Sequence, residues 1–357
     1  MNEARKIGLA IVGLGPWGRN LLRAFASVGR TRIVAICDVD RARLMAPTVD
    51  DVVKYADIAE VLRRADVDAV VLATPPSEHA SQALAALGHG KHVFVEKPMA
   101  LRTRDAVMLE HAAVATRKKV MVGHILRYHP AFSCLLELAA SGTLGQVRRV
   151  HASRLGATSL AGQETAWWSL APHDISAMRA IIGANPSTVR AFEDPSIGAG
   201  QRGVRALLTF PRGVTGTLLV SAGAIRKTRR LVVVGEKKTA VFDDTEPTEK
   251  VRLFRSIDGD EDGDGFSTST PLESIRPSNE EPLVAEARHF ISAVLDGTPI
   301  LSDAAEGRAV VAALEGGITS LRGGGAPVPL AALELAPRTT LATSATLEPS
   351  DSSPSGL

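Results

Sequence analysis

Ile7-Gly8-Leu9-Ala10-Ile11-Val12-Gly13-Leu14-Gly15-Pro16-Trp17-Gly18 decides the fold of this chain. A short, nearly continuous apolar run ends in glycines spaced GxGxxG, and an amphipathic stretch, Trp17–Ser27, follows at once. Strand, glycine turn and helix in that order form the first unit of a parallel sheet covered on both faces by helices. Each glycine has a separate task in such a turn: a tight bend, close backbone approach to a pyrophosphate, and close helix–strand packing. The helix start adds unpaired N–H groups and a positive dipole end, which attract an anion. Gly13, Gly15, Pro16, Trp17 and Gly18 are therefore candidate dinucleotide contacts. A second apolar run, Ile33–Cys37, ends at Asp38, twenty residues after Gly18. An acidic residue there holds a ribose diol and disfavours a 2′-phosphate, so NAD is expected over NADP. Arg41 and Arg43 follow closely and soften that preference.

Working outward, further strands are expected at Ala69–Ala73, His92–Val95 and Lys119–Gly123, with helices at Ile58–Arg64, Glu78–Leu87 and Thr103–Thr116. From about Arg148 the texture changes. Val204–Phe210, Thr215–Ser221, Arg230–Val234 and Thr239–Phe242 are short, β-branched and separated by Gly or Pro-Arg-Gly turns, and read as a mostly antiparallel sheet. Helices are expected at Pro172–Ile182, Leu283–Leu295 and Ala304–Arg322. After Gly323-Gly324-Gly325 the chain drifts into Thr, Ser and Pro, the composition of a disordered tail. The fold class is thus α/β, and 357 residues suit two domains. The expected division is a dinucleotide-binding domain over 1–126, a substrate-binding and oligomerisation α/β domain over 127–330, and a tail over 331–357.

With 45% apolar and 22% charged residues the chain has the composition of a soluble globular protein. A net charge of +2 gives no reason to expect a nucleic-acid or anionic-membrane partner, so a small molecule is favoured. No apolar run reaches the length of a membrane span and the first residues lack a signal-peptide pattern, so the expected compartment is the cytoplasm. Cys37 and Cys134 are too few for a disulfide framework or a zinc site, and no metal is expected. Asp258-Gly259-Asp260-Glu261-Asp262-Gly263 begins like a calcium loop, but its twelfth position is Ser269, and a solvated acidic loop is the better reading.

The strand around Val95 ends in Glu96-Lys97-Pro98. Ligands of open parallel sheets sit outside the carboxyl ends of the strands, which puts Lys97 in the crevice as a donor to a substrate oxygen. Pro98 stops the strand, and an X-Pro bond there can be cis. Taken alone, a surface Glu-Lys pair beside a loop proline would look the same.

Gly13–Gly18, Thr74-Pro75-Pro76-Ser77-Glu78-His79, Glu96-Lys97-Pro98 and Ala171-Pro172-His173-Asp174 occur in that order. Together they resemble the glucose–fructose oxidoreductase / inositol dehydrogenase (Gfo/Idh/MocA) family over roughly residues 5 to 330. The resemblance implies a Rossmann domain followed by an α/β domain with an open sheet, with Thr74, Pro75 and His79 lining the cofactor and Glu96 and Lys97 at the nicotinamide. Trp167–Asp174, Gly123–Pro130 and Asp243-Asp244 look like the nucleotide-sugar branch, whose members oxidise carbon 3 of UDP-linked N-acetyl-hexuronates or reduce related keto sugars.

Pro172 suits the first turn of a helix, which would place His173 near a helix N-terminus, where the dipole disfavours imidazolium. A neutral imidazole takes the hydroxyl proton in alcohol oxidation, so Lys97 and His173 are the candidate catalytic pair. Many relatives carry aspartate four residues before this histidine, where the chain has Ser169. Of the paired tryptophans, one is expected on substrate or nicotinamide, Trp168 being the candidate, with core packing the alternative. Arg127, Tyr128, Arg154 and Asp174 are candidate sugar contacts, and His124 reads as structural. Arg226, Lys227, Arg229 and Arg230 could receive a diphosphate or form a solvated strand-edge face. An uncovered face of the second sheet and the family resemblance lead to the expectation of a homodimer or homotetramer. The expected activity is hydride transfer between NAD, with NADP less favoured, and a secondary hydroxyl or ketone of a nucleotide-linked sugar, as a carbon-3 dehydrogenase or ketoreductase; the alternatives are an inositol- or polyol-type dehydrogenase and a non-catalytic NAD-binding sensor or scaffold.

Overall fold

A computed structural model describes residues 6–45, 51–157, 165–196, 203–256 and 270–334. The acidic run from Asp258 and all but the start of the expected tail lie outside the described residues.

The chain begins β1 (Ile7–Val12), α1 (Pro16–Ser27), β2 (Thr31–Cys37), α2 (Arg41–Met45), β3 (Val53–Tyr55), α3 (Ile58–Leu62), β4 (Ala69–Leu72), α4 (Pro76–Gly88), β5 (His92–Glu96), α5 (Thr103–Thr116) and β6 (Val120–Gly123). These six strands are all parallel, in the order β3-β2-β1-β4-β5-β6. The order reverses between β1 and β4, and a crevice opens above that switch point. β1, β4 and β6 are buried along their whole length, which is why they read as unbroken apolar runs. β3 had no such signal because it is a short, largely exposed edge.

After a 3-10 turn at Ile125–Tyr128 come α6 (Pro130–Ala140), β7 (Val147–Ala157), α7 (Ala166–Ile182), β8 (Thr188–Asp194), β9 (Gly203–Thr209), β10 (Thr215–Ser221), β11 (Gly223–Gly235), β12 (Lys238–Asp243), β13 (Val251–Arg255) and β14 (Glu273–Ile275). The chain then forms α8 (Pro282–Leu295), α9 (Ala304–Arg322), β15 (Val328–Pro329) and α10 (Ala331–Glu334). The second sheet has nine strands, β14-β13-β12-β11-β7-β10-β9-β8-β15, antiparallel except for β7 beside β10. α7 packs on β7 and β10, and α9 on β8, so alternate residues such as Val150, Ala152, Leu218, Val220, Leu231 and Val233 face the helices.

The last helices return to the first sheet. Phe290 of α8 meets Phe25 of α1 and Phe94 of β5 edge-on, at centroid distances of 6.0 and 5.8 Å. Ser302, just before α9, accepts from the Val122 amide at 2.8 Å through its carbonyl and donates to the Val122 carbonyl at 2.7 Å through its hydroxyl. Among the described residues no helix is long and apolar enough to cross a membrane.

Candidate active site

The three glycines of the first turn are of different kinds. Gly13 has φ +89°, and a Cβ there would lie 2.6 Å from the Ala73 main chain. A Cβ at Gly18 would lie 1.9 Å from the Gly13 carbonyl oxygen, so α1 can pack this closely only on a glycine. Gly15 is open, with only the Arg43 guanidinium near its missing Cβ, at 3.9 Å. Gly15 caps α1 with no side-chain bond, Pro16 occupies the first turn, and no acidic residue stands there. The amides at this helix start are left for an anion. Asp38 closes the arrangement from β2: its Oδ2 accepts from the Leu14 amide at 2.7 Å, and its Oδ1 from the Asp40 amide at 2.8 Å.

The cleft above this turn has a volume of about 1540 Å³. Its walls include all five candidate residues of the turn, Asp38, the Thr74-Pro75 pair after β4, Lys97 after β5, and Trp168 with Ser169 of α7. An uncapped helix start, an open Gly15 and an acidic side chain at the end of β2 fit a dinucleotide. His79 and Glu96 stand behind the wall, both buried. His79 ties the two strand ends together, its ring nitrogens each 2.8 Å from a carbonyl oxygen, of Thr74 and of Pro98. Glu96 accepts from Trp17 Nε1 at 2.6 Å and from the Lys97 amide at 3.1 Å. Burial pushes its carboxyl above the usual range. The Lys97–Pro98 peptide bond is cis.

Lys97 Nζ crosses the cleft to donate to the Ser169 carbonyl at 3.0 Å. Here the expected helix start is corrected. α7 begins at Ala166, capped by the Thr165 hydroxyl, and Pro172 lies inside it. A proline within a helix deprives the carbonyl four residues earlier, that of Trp168, of its donor. The main chain of α7 is thus less than fully paired beside the lysine. His173 follows Ser169 by four residues on the same helix face, a turn deeper, and not at a helix N-terminus. Its protonation is held well below the ordinary histidine value by burial, then by Lys97, Arg154, His124 and Arg229, and not by a helix dipole. Its Nδ1 is buried with no hydrogen bond among the described residues. The ring is neutral at ordinary pH.

The candidate sugar contacts separate. Arg154 of β7 and Asp174 of α7 grip each other in a two-pronged pair, Nε to Oδ2 at 2.8 Å and Nη2 to Oδ1 at 2.7 Å. Tyr128 is placed in the core, 7% exposed, with its hydroxyl 2.8 Å from Ser302 Oγ, and it does not line the cleft. Arg127 lies 3.4 Å from Glu306, a carboxylate the sequence reading missed. Glu306 also meets Arg179 at 3.4 Å, His124 at 3.5 Å and the Ser176 hydroxyl. It sits in the first turn of α9, behind the Asp303 cap, and the Asp-x-x-Glu spacing was the available signal. Trp167 is core: it is 1% exposed and donates to the Leu314 carbonyl at 2.9 Å. Trp168, its neighbour, faces the cleft.

Residues 7–124 match the family model for the Gfo/Idh/MocA oxidoreductases with an NAD-binding Rossmann fold, and residues 132–241 match the model for the C-terminal domain of the same family. This chain belongs to the Gfo/Idh/MocA oxidoreductase family. As in that family, its first domain is an NAD-binding Rossmann fold. It is 26% identical over 315 residues to a UDP-N-acetylglucosamine 3-dehydrogenase of Acidithiobacillus ferrooxidans, covering 85% of this chain and 93% of that one. It is 29% identical over 189 residues to an inositol 2-dehydrogenase of Salmonella typhimurium, covering 51% of this chain and 56% of that one. The solved structure of a UDP-N-acetylglucosamine 3-dehydrogenase from A. ferrooxidans superposes with a TM-score of 0.77 at 23% identity, over 89% of this chain and 99% of that one, a likeness of fold.

A second buried carboxyl lies under the site of this Gfo/Idh/MocA protein. Glu286 of α8 is 0% exposed, and neither of its oxygens has a hydrogen-bond partner among the described residues. Burial, then the nearby Glu96, pushes it well above the usual carboxylate range, so it is held as the neutral acid.

Proposed function

We propose that this protein is a NAD-dependent oxidoreductase acting on a secondary hydroxyl, or the matching ketone, of a sugar, with a nucleotide-linked sugar as the favoured substrate. The observation that carries the reading is the bond between Lys97 Nζ and the Ser169 carbonyl, one helical turn from the neutral His173. When bound, NAD supplies the hydride acceptor. In oxidation, Lys97 Nζ donates to the reacting oxygen and stabilises its developing negative charge. The imidazole of His173 takes the hydroxyl proton, and in reduction the imidazolium returns it. Asp38 and Trp168 line the cleft and would hold the ribose diol and the nicotinamide, and Glu96 fixes Trp17 and the Lys97 main chain.

The likeness over most of the chain to a UDP-N-acetylglucosamine 3-dehydrogenase favours a nucleotide sugar. The inositol 2-dehydrogenase likeness, confined to about half of each chain, supports a free polyol as the second reading. Ser169 in place of the family aspartate is what a non-catalytic NAD binder would show, but such a protein has no use for Lys97 and His173. In this reading the protein works in the cytoplasm as a homodimer or homotetramer; a monomer in sedimentation at micromolar concentration would contradict the assembly.

The test offers enzyme at stoichiometric concentration UDP- and dTDP-linked hexoses and hexuronates, their keto forms and free inositols, with NAD, NADH or their phosphorylated counterparts. A change in nicotinamide absorbance with a nucleotide sugar supports the reading, and a change with inositol alone moves it to the polyol. Silence with every substrate, while NAD is bound, overturns it.

A further inference from the structure

We propose that Arg229, set beside Arg154, is an anion subsite that receives an oxyanion group of the substrate, a carboxylate or a phosphate. The proposal rests on the substrate lying next to His173, as in the reading above.

Arg229 of β11 and Arg154 of β7 are direct cross-strand partners in the middle of the second sheet. Leu231 and Val233 alternate with Arg229 and belong to the core under the helices, as do Ala152 and Val150 opposite them. Both arginines therefore point to the helix-covered face, toward α7. Like charges directly opposite each other on a sheet are destabilising. One carboxylate answers two guanidiniums here: both oxygens of Asp174 are engaged by Arg154. The other nearby acid, Asp244, is held by Lys250 at 2.9 Å and by His129 at 3.2 Å.

Arg229 itself is half-buried and fastened by one nitrogen, Nη1, which donates to the carbonyls of Leu155 at 2.5 Å and Thr228 at 2.8 Å. It has no carboxylate partner among the described residues, and two of its nitrogens, Nε and Nη2, make no hydrogen bond there. Lys97, Arg154 and Arg229 all bear on His173 and disfavour its imidazolium; of the two arginines, Arg154 is answered by Asp174 and Arg229 is not. A positive field with one guanidinium fixed in place and its other donors open is what an incoming oxyanion needs. The expectation of a strand-edge face is corrected for this residue, because β11 lies between β12 and β7. Arg226 and Lys227 belong to a different surface: they are exposed, in an irregular stretch of β11 where four residues intervene between its pairings with Ala157 and Leu155.

The experiment titrates the enzyme–NADH complex with D-glucuronate, D-glucose, UDP and inorganic phosphate, following nicotinamide fluorescence. A charge-assisted hydrogen bond corresponds to about tenfold or more in affinity. Glucuronate or UDP is expected to bind at least about tenfold more tightly than glucose. Arg229→Gln should abolish the difference while NADH affinity is unchanged, and Arg229→Lys should keep part of it. Preference for glucuronate assigns the subsite to a ring carboxylate, and preference for UDP and phosphate assigns it to the diphosphate. Equal binding of glucose and the anions by the wild type overturns the proposal, whether or not the variants fold, and so does a preference that survives in Arg229→Gln. Turnover is scored separately. An anion preference without oxidation of any sugar counts against the proposed function and not against the subsite; oxidation of neutral polyols without the preference does the reverse.

Discussion

The ammonium of Lys97 and the main-chain carbonyl of Ser169 are 3.0 Å apart, joining the end of β5 to a turn of α7 that a proline has left incompletely paired. A substrate hydroxyl can take the place of that carbonyl as acceptor without the lysine moving far. On the proposed reading the contact holds the lysine near its working position.

Lys97→Ala removes the donor and should lower turnover by about 100- to 1000-fold. NAD affinity should change little, because the glycine turn and Asp38 are untouched. Steady-state rates and a NADH titration check both halves; unchanged turnover would return the lysine to a structural role.

Alcohol oxidation needs His173 neutral, and its protonation midpoint is depressed by burial and by the surrounding cations. kcat/KM for oxidation should therefore hold steady as pH falls through about 6.5, where an ordinary histidine would be half protonated. Ser169→Asp places a carboxylate one turn from the ring, favours imidazolium, and should move the acid limb up by about one unit. Superimposable pH profiles for the two proteins would show that His173 is not the titrating base.

Asp174→Asn leaves Arg154 and Arg229 facing each other without a carboxylate. Breaking a buried pair from one side costs about 3–5 kcal/mol. Denaturant unfolding should show a loss of that size, and replacing Arg154 by Leu in the same variant should recover much of it. A loss under about 1 kcal/mol would mean that solvent reaches the pair.

Glu286→Met should stabilise the fold. The native carboxyl is held protonated by burial, then by Glu96, whereas the unfolded chain ionises it near the ordinary value of about 4.3. Below that pH both states carry the proton and the full stability is present; as pH rises toward the native midpoint, stability is lost. The variant should accordingly be more stable by on the order of 1–3 kcal/mol near pH 4, where the neutral carboxyl is buried without a partner among the described residues, and the advantage should grow as pH rises toward 7. Melting curves across that range decide it, and a pH-independent difference would point to packing alone.

The first sheet, its edge strand β3 apart, was legible because its strands are largely buried and so carry nearly unbroken apolar runs; Thr103–Thr116, Thr215–Ser221 and Ala304–Arg322 were bounded correctly from pattern alone. Two kinds of residue misled. Pro172 was read as a helix start because proline favours the first turn, but tertiary packing carries α7 through it, and the source of the His173 shift changed with it. β7, the strand at the centre of the second sheet, went unread because Arg148, Arg149, His151 and Arg154 interrupt its apolar residues. α6 was also missed. The site's local motifs were visible one by one, but the Glu306 cluster and the opposed arginines join positions up to 182 residues apart (Glu306 to His124, numbers 306 and 124) and exist only once the sheets are formed.

The Val122–Ser302 clasp has a consequence for how the protein is made. β6 leaves the ribosome long before Ser302 does, and until then the edge of the first sheet and the apolar faces of β5 and α1 are bare. N-terminal units commonly fold during synthesis, but the packing of this one is completed only by Phe290 and α9. A chain that stops before α8 leaves the Phe25–Phe94 face uncovered and is expected to hold NAD less well than the full chain.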